Sequence, residues 1–372
     1  MKRILLSVAA VVLAASGCGT VQATDETSRA YSASAEVPVD AALVTPEFGW
    51  VLTADRLLVT RNGGASFSEV TPPVPVTGAR AAFFSDARNG YVAASNGNTI
   101  TTARTGDGGR TWTTTTTGDP GAPAAEYGRL EVAFRDADRG VILAQTSTSM
   151  MSSAATLFAT EDGGASWSAR RAPMAGEVSV ERDGRVWVAG GVAGDRLSSS
   201  SDQGRHWTDA EVKVDGTATS TTVAPPVDGV LPVTVVTETD QTQVALLTSD
   251  DEGGSWSESG RVAVHGKTGP GVRVPVAPTG SGLLVVDTRA GHAFRVGRAV
   301  SASAVPDVRP RGLPDGVDRV TFAADGRTGW ALAAYGRCTQ GKTGCSLFHP
   351  LLTTGDGGAT WRELRRWERK IN

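Results

Sequence analysis

The sequence predicts an all-β chain built from one repeated unit, on three observations. An eight-residue segment, Ser/Thr-x-Asp-x-Gly-x-x-Trp, returns five times along the chain. A second signature, an apolar strand, a turn and a Gly opening another apolar strand, recurs ahead of it. No hydrophobic helical period of useful length occurs, while Gly (45 residues), Thr and Val abound, as strands and tight turns require.

At the N-terminus, Met1 to Ala15 carries Lys2 and Arg3 and then an apolar run from Ile4. The run is too short to span a bilayer comfortably but has the length of a signal-peptide core. It ends in Leu13-Ala14-Ala15-Ser16-Gly17-Cys18, which resembles a bacterial lipobox. That resemblance implies cleavage before Cys18 and lipid on its sulfur and new N-terminus; an ordinary secretory signal is the alternative. No second hydrophobic span follows. Residues 1–17 are thus expected to be a lipoprotein signal peptide, and 18–36 the lipidated Cys and a flexible polar stalk. The repeat occupies 37–372. Removing Lys2 and Arg3 takes the net charge from −3 to −5, too mild to imply nucleic acid as a partner.

The five full copies of the segment are Thr105 to Trp112, Thr160 to Trp167, Ser200 to Trp207, Ser249 to Trp256 and Thr354 to Trp361. Asp107, Asp162, Asp202, Asp251 and Asp356 can each accept backbone N–H bonds and close an Asx-type turn. The Ser/Thr hydroxyl two residues earlier adds another bond, and Gly supplies the positive φ of a tight hairpin. Trp112, Trp167, Trp207, Trp256 and Trp361 then bury a ring beside the turn. Two weaker copies are Thr60 to Phe67, with Asn62 for Asp, and Asp287 to Phe294, with Arg289 for Asp.

The second signature supplies the other strands. Phe84-Ser85-Asp86 leads to Gly90-Tyr91-Val92, Phe134-Arg135-Asp136 to Gly140-Val141-Ile142, and Phe322 to Gly329-Trp330-Ala331. A third strand runs into each segment, as Leu57 to Thr60, Thr99 to Thr105, Ala155 to Thr160, Val244 to Ser249 and Leu351 to Thr354. Four short strands per unit is the arithmetic of a propeller blade. The Asp positions or their substitutes are spaced by 45, 55, 40, 49, 38 and 67 residues, against roughly 40–50 for such repeats. The long last interval is assigned to a linker, Gly297 to Gly316, and an insertion in the last unit. Seven copies predict a seven-bladed β-propeller.

The eight-residue pattern resembles the Asp-box, or BNR repeat, of sialidases, sortilin-type receptors and photosystem II assembly-factor propellers. The resemblance implies that each box joins the third and fourth strands of a blade and is a turn staple. It implies a binding or assembly role or, alternatively, sialidase-like glycoside hydrolysis, which clamps a carboxylate with arginines and uses a Tyr nucleophile activated by Glu. The family's Arg-Ile-Pro opening motif is absent, and Arg273-Val274-Pro275 matches it only locally. Tyr127 and Tyr335 are the candidate nucleophiles, but Glu126 adjoins Tyr127, and strand neighbours point to opposite faces.

Arg80, Arg129, Arg273 and Arg319 each precede or enter a predicted first strand, so their side chains can converge on one mouth of the channel. Such a cluster would suit carboxylates or acidic segments; solvated rim arginines are the alternative. Cys338 and Cys345 are expected to pair in an exported chain, with free buried thiols as the alternative. Gly336 to Thr343 matches GxxxxGK[ST], but the helix that phosphate binding needs is not signalled. His206, His265, His292 and His349 show no ligand spacing. No metal, cofactor or catalytic residue is expected. The expectation is a monomeric, lipid-anchored, extracytoplasmic, non-catalytic module for an envelope protein, peptide or glycan.

Overall fold

The structure is a computed structural model describing residues 37–119, 126–146, 154–223, 231–238, 242–263, 274–279, 282–287, 292–297, 307–308, 310–338 and 345–371. The signal peptide, Cys18, the stalk, Arg273 and His265 lie outside the described residues, as do residues 339–343 of the GxxxxGK[ST] match.

The described residues form strands and turns, with no helix among them. A first sheet holds β1 (Pro38–Leu43), β2 (Gly49–Thr53), β3 (Leu57–Thr60) and β4 (Ser68–Glu69). The second holds β5 (Arg80–Phe84), β6 (Gly90–Asn96), β7 (Thr99–Thr105) and β8 (Thr113–Gly118). The third holds β9 (Tyr127–Phe134), β10 (Gly140–Thr146), β11 (Ala155–Thr160) and β12 (Ser168–Arg171). The fourth holds β13 (Gly176–Val180), β14 (Val186–Gly190), β15 (Arg196–Ser200) and β16 (Thr208–Asp209). The fifth holds β17 (Thr217–Val223), β18 (Leu231–Glu238), β19 (Thr242–Ser249) and β20 (Ser257–Ala263). The next holds β21 (Val276–Thr279), β22 (Gly282–Asp287), β23 (His292–Gly297) and β24 (Asp307–Val308). The last holds β25 (Val317–Phe322), β26 (Gly329–Ala333), β27 (Tyr335–Cys338), β28 (Cys345–Thr354) and β29 (Arg362–Ile371).

Six of these sheets have four strands and one has five. The four-strand unit expected of every repeat therefore holds for six. In the last sheet, β26 and β27 pair in succession along one side of β28, and β29 pairs along the other. The insertion expected there is this extension, and Cys338 and Cys345 are joined by a disulfide across it.

Each junction between consecutive sheets is an apolar wedge. Trp50, Leu57, Phe84 and Val92 fill the first; Ala93, Ile100, Leu130 and Phe158 fill the second. The wedge that closes the ring joins Ala41, Leu43 and Val51 of the first sheet to Trp330, Leu332, Leu351 and Trp367 of the last. Burial of each such large side chain contributes about 1.5–3 kcal/mol. This is the arrangement of a β-propeller.

The repeated turns carry the hydrogen bonds their residues predict. The Thr105 hydroxyl donates to Asp107 Oδ1 at 2.8 Å and accepts from Gly109 N at 2.8 Å. Asp107 Oδ1 also accepts from the Arg110 and Thr111 amides, both at 2.9 Å. The hydroxyl bonds and the amide bond from the fourth residue on recur at Asp162, Asp202, Asp251 and Asp356, and the amide bond from the third recurs at Asp356. Asn62 reproduces them, because its Oδ1 accepts the Thr60 hydroxyl and the Ser66 amide at 2.9 Å. Gly109 has φ +88°, and a Cβ there would lie 2.7 Å from Val70, so the position admits only glycine.

Each aromatic after these turns packs into the wedge shared with the preceding sheet. Phe67 joins the closing wedge, Trp112 the first, Trp167 the second, Trp207 the third, Trp256 the fourth and Trp361 that of the last sheet. The segment is therefore a staple within one sheet and a wedge between two.

One weak copy is corrected. Asp287 to Phe294 lies between β22 and β23, the second and third strands of their sheet, not between the third and fourth. Asp287 is itself buried.

Candidate functional site

The first strand of each sheet is its inner edge. One cavity of about 430 Å³ takes Leu43 from β1, Phe83 from β5, Glu177 from β13, Val223 from β17, Val276 from β21 and Arg319 from β25. Six sheets thus contribute their first strands to one central space.

Strand register places charges there at one level. Leu43, Phe134, Val180 and Phe322 lie opposite Gly49, Gly140, Val186 and Gly329, the first residues of their second strands. Three residues before each stand Asp40, Glu131, Glu177 and Arg319. In the second sheet Ala81 fills this level, counting back from Phe84 opposite Gly90. A register shift precedes Asp40, Arg129 and Arg319; an extra residue of this kind re-aims the side chains that follow it.

These groups act on one another. Arg319 Nε lies 2.9 Å from Asp40 Oδ1, and Arg129 pairs with Glu131 two residues along β9. Asp40, then Glu131 and Glu177, hold the Arg319 guanidinium in its charged form against the opposing effect of burial. Burial lifts the Asp40 carboxyl, and the Arg319 charge only partly offsets that. Glu177 is pushed up to about 7, first by its enclosure and then by the negative charge of Glu131. Glu177 is half-buried on the cavity wall. Asp318, beside Arg319 on the cavity wall, is likewise raised by burial.

Of the four arginines named from sequence, the structure brings Arg129 and Arg319 to this constellation. Arg80 stands one residue before its level, which turns it to the other side of β5. Its guanidinium donates to the carbonyls of Thr53 at 3.3 Å and Ala54 at 3.0 Å. Arg80 therefore braces the turn after β2 of the neighbouring sheet. Sequence reasoning missed Asp40, Glu131 and Glu177, because it searched for cations alone. The signal was available in the fixed offset from the partner of each second-strand start.

The tyrosines serve the scaffold. Tyr91 donates its hydroxyl to the Ala137 carbonyl and stacks on Phe134 with centroids 3.6 Å apart. Tyr127 is fully buried against Phe158, and Tyr335 lies beside Phe348 in the last sheet. His206 meets Asp202 Oδ2 at 2.6 Å within its turn. Burial and Arg369 lower the pKa of His349. Among the described residues no group of three or more His, Cys, Asp or Glu could hold a metal ion.

No protein-family model matches the sequence, and no curated protein sequence is similar to it. Solved structures share the fold. YCF48 bound to a D1 peptide is similar over 88% of this chain and 80% of its own, at 14% identity and a TM-score of 0.42. An ancestral GH74 enzyme is similar at 12% identity and a TM-score of 0.52. That match covers 87% of this chain and 54% of the enzyme, so this chain spans about half its length. A Hadza microbial sialidase is 15% identical over 77% of this chain and 70% of its own, with a TM-score of 0.40. Likeness at these identities is likeness of fold.

Proposed function

We propose that this chain is a non-catalytic binding module. It is a lipid-anchored propeller held outside the cytoplasm, with seven blades that turn through Asp-box hairpins. Its channel receives a segment of an envelope protein, a peptide or a glycan. The observation that carries this reading is the meeting of Asp40, Glu131 and Glu177, from three sheets, around Arg319 of a fourth, with Glu177 and Arg319 on the wall of the central cavity. A fixed ring of both charge signs on rigid strands presents oriented donors and acceptors to a ligand without needing to move. The positions of Tyr127 in a core and Tyr335 on the last sheet support binding over sialidase chemistry, which needs a tyrosine beside the arginines.

Capture of partners from detergent-solubilised membranes tests the reading. The intact chain should retain a discrete partner, and Glu177→Gln with Arg319→Gln should release it while the fold persists. A partner retained equally by the ring variant would place binding elsewhere and refute the channel as the site.

One observation favours a glycosidase as second reading. A carboxyl held protonated to about pH 7 beside a second carboxylate is the acid and base combination of glycoside hydrolysis. Release of reducing sugar from an envelope glycan, abolished by Glu177→Gln, would establish that reading in place of the first.

A further inference from the structure

The last sheet extends beyond the ring. Residues of β27 pair only with the first half of β28, and β29 follows β28 along its whole length. A three-stranded ribbon therefore projects past Ala333, where β26 ends. That end lies opposite the turn at Asp356 and on the side where first strands begin, because Ala333 pairs with Val317.

The ribbon's charge is unlike that of the chain. Strand β29 reads RELRRWERKI, with five cations against Glu363 and Glu368, whereas the whole chain carries −3. Arg362, Arg365, Arg366 and Lys370 are exposed. Aromatic rings are interleaved with them. Arg366 lies 5.7 Å over Phe348, Arg365 4.8 Å over Trp367 and Arg337 5.5 Å over Tyr335. At the end of the strand Ile371 is 40% exposed.

We propose that this ribbon docks on an anionic phospholipid surface. Its cations are spread over both faces and the edge of the ribbon and do not converge on one point. Such an array matches a diffuse negative surface better than a single carboxylate or phosphate. Cations beside the half-buried Tyr335 and Phe348 and an exposed Ile371 are the chemistry of a membrane interface. A second copy of the chain is disfavoured, because pairing β29 edge to edge would set like charges against each other. The direction of approach agrees with the anchored reading and rests on it, since the chain enters the ring at Val37, in the sheet adjoining the ribbon. The charge of the ribbon is independent of the N-terminal anchor.

The test uses the mature chain with Cys18→Ser, which has no lipid and so does not depend on the anchor. It is sedimented with vesicles of phosphatidylglycerol and phosphatidylcholine, or of phosphatidylcholine alone. Binding is expected only to the anionic vesicles and should weaken as salt is raised. Replacing Arg362, Arg366 and Lys370 together by Gln should lower the partition coefficient on the order of a hundredfold. The triple Lys or Arg exchange, which keeps the charges, should preserve binding and guards against misfolding of the Gln variant. Equal binding to both vesicles, or no loss in a folded Gln variant, would overturn the proposal. Binding to polyglutamate but not to vesicles would also overturn it, and would point to an acidic protein partner. Loss of vesicle binding leaves the channel reading intact, because capture through Glu177 and Arg319 is scored separately.

Discussion

Arg319 in the last sheet and Asp40 in the first meet at 2.9 Å, so the ring is latched by charge at its inner edge where an apolar wedge closes it further out. The Leu43 amide adds a 3.0 Å bond to the Thr321 hydroxyl across the same junction. The side chains of Arg319 and Asp40 are 39% and 22% exposed, so channel water screens part of their attraction.

Removing one partner should cost more than removing both, because a lone enclosed charge keeps its desolvation penalty. Arg319→Met alone should destabilise by about 1–3 kcal/mol, discounted from fully buried pairs for the exposure. Arg319→Met with Asp40→Leu should recover part of that. Urea melts of the two single variants and the double variant check this, and strictly additive losses would remove the latch.

Stability should fall as pH rises through neutrality because of Glu177. Its folded pKa of about 7 lies above the unfolded value. Between those values the folded chain holds a proton that the unfolded chain has released, so stability is greatest below the unfolded pKa and declines through about 7. Glu177→Gln should flatten the melting temperature between pH 5 and 8, a window taken from that shift. An unchanged slope in this variant would mean that Glu177 titrates normally.

The acid limb has the opposite sign and a different source. Hydrogen bonds from the Thr111 amide and hydroxyl hold Asp107 well below the usual carboxylate range. At Asp356 burial opposes, but bonds from Thr360 and Thr354 prevail and bring it to about 2. Their stabilisation is complete above the unfolded pKa and is lost as pH falls through the folded values. Asp107→Ala should lower the melting temperature at pH 7 and blunt its decline in acid, as thermal scans would show. Trp112→Ala, which removes a half-buried indole from the first wedge, should cost about 1–4 kcal/mol. Either variant keeping its melting temperature while losing partner capture would make the segment a functional site.

Cys18→Ser should release the protein from the membrane fraction or stall its processing, read by fractionation and by the mass of the N-terminal peptide. Full retention with an unmodified peptide would remove the lipid anchor.

The sequence by itself determined the repeat. An eight-residue turn is closed by its own atoms, so Thr105, Asp107 and Gly109 announce their hydrogen bonds without any neighbour. Asn62 could stand in for Asp because an amide oxygen accepts the same bonds. The disulfide was legible because Cys338 and Cys345 are close in sequence. Asp287 to Phe294 shows where local pattern stops: an aromatic three residues after a glycine cannot tell which two strands a turn joins. Only the tertiary structure decided the channel. Arg80 and Arg319 look alike in sequence, yet a one-residue difference in register sends one to a neighbouring hairpin and the other to Asp40. Asp40, Glu131 and Glu177 are far apart along the chain, and what makes them a site is ring closure, which brings first strands to one axis. The physical reason is range: turn bonds are local, whereas the facing of a strand and the meeting of charges depend on register and on which sheets become neighbours.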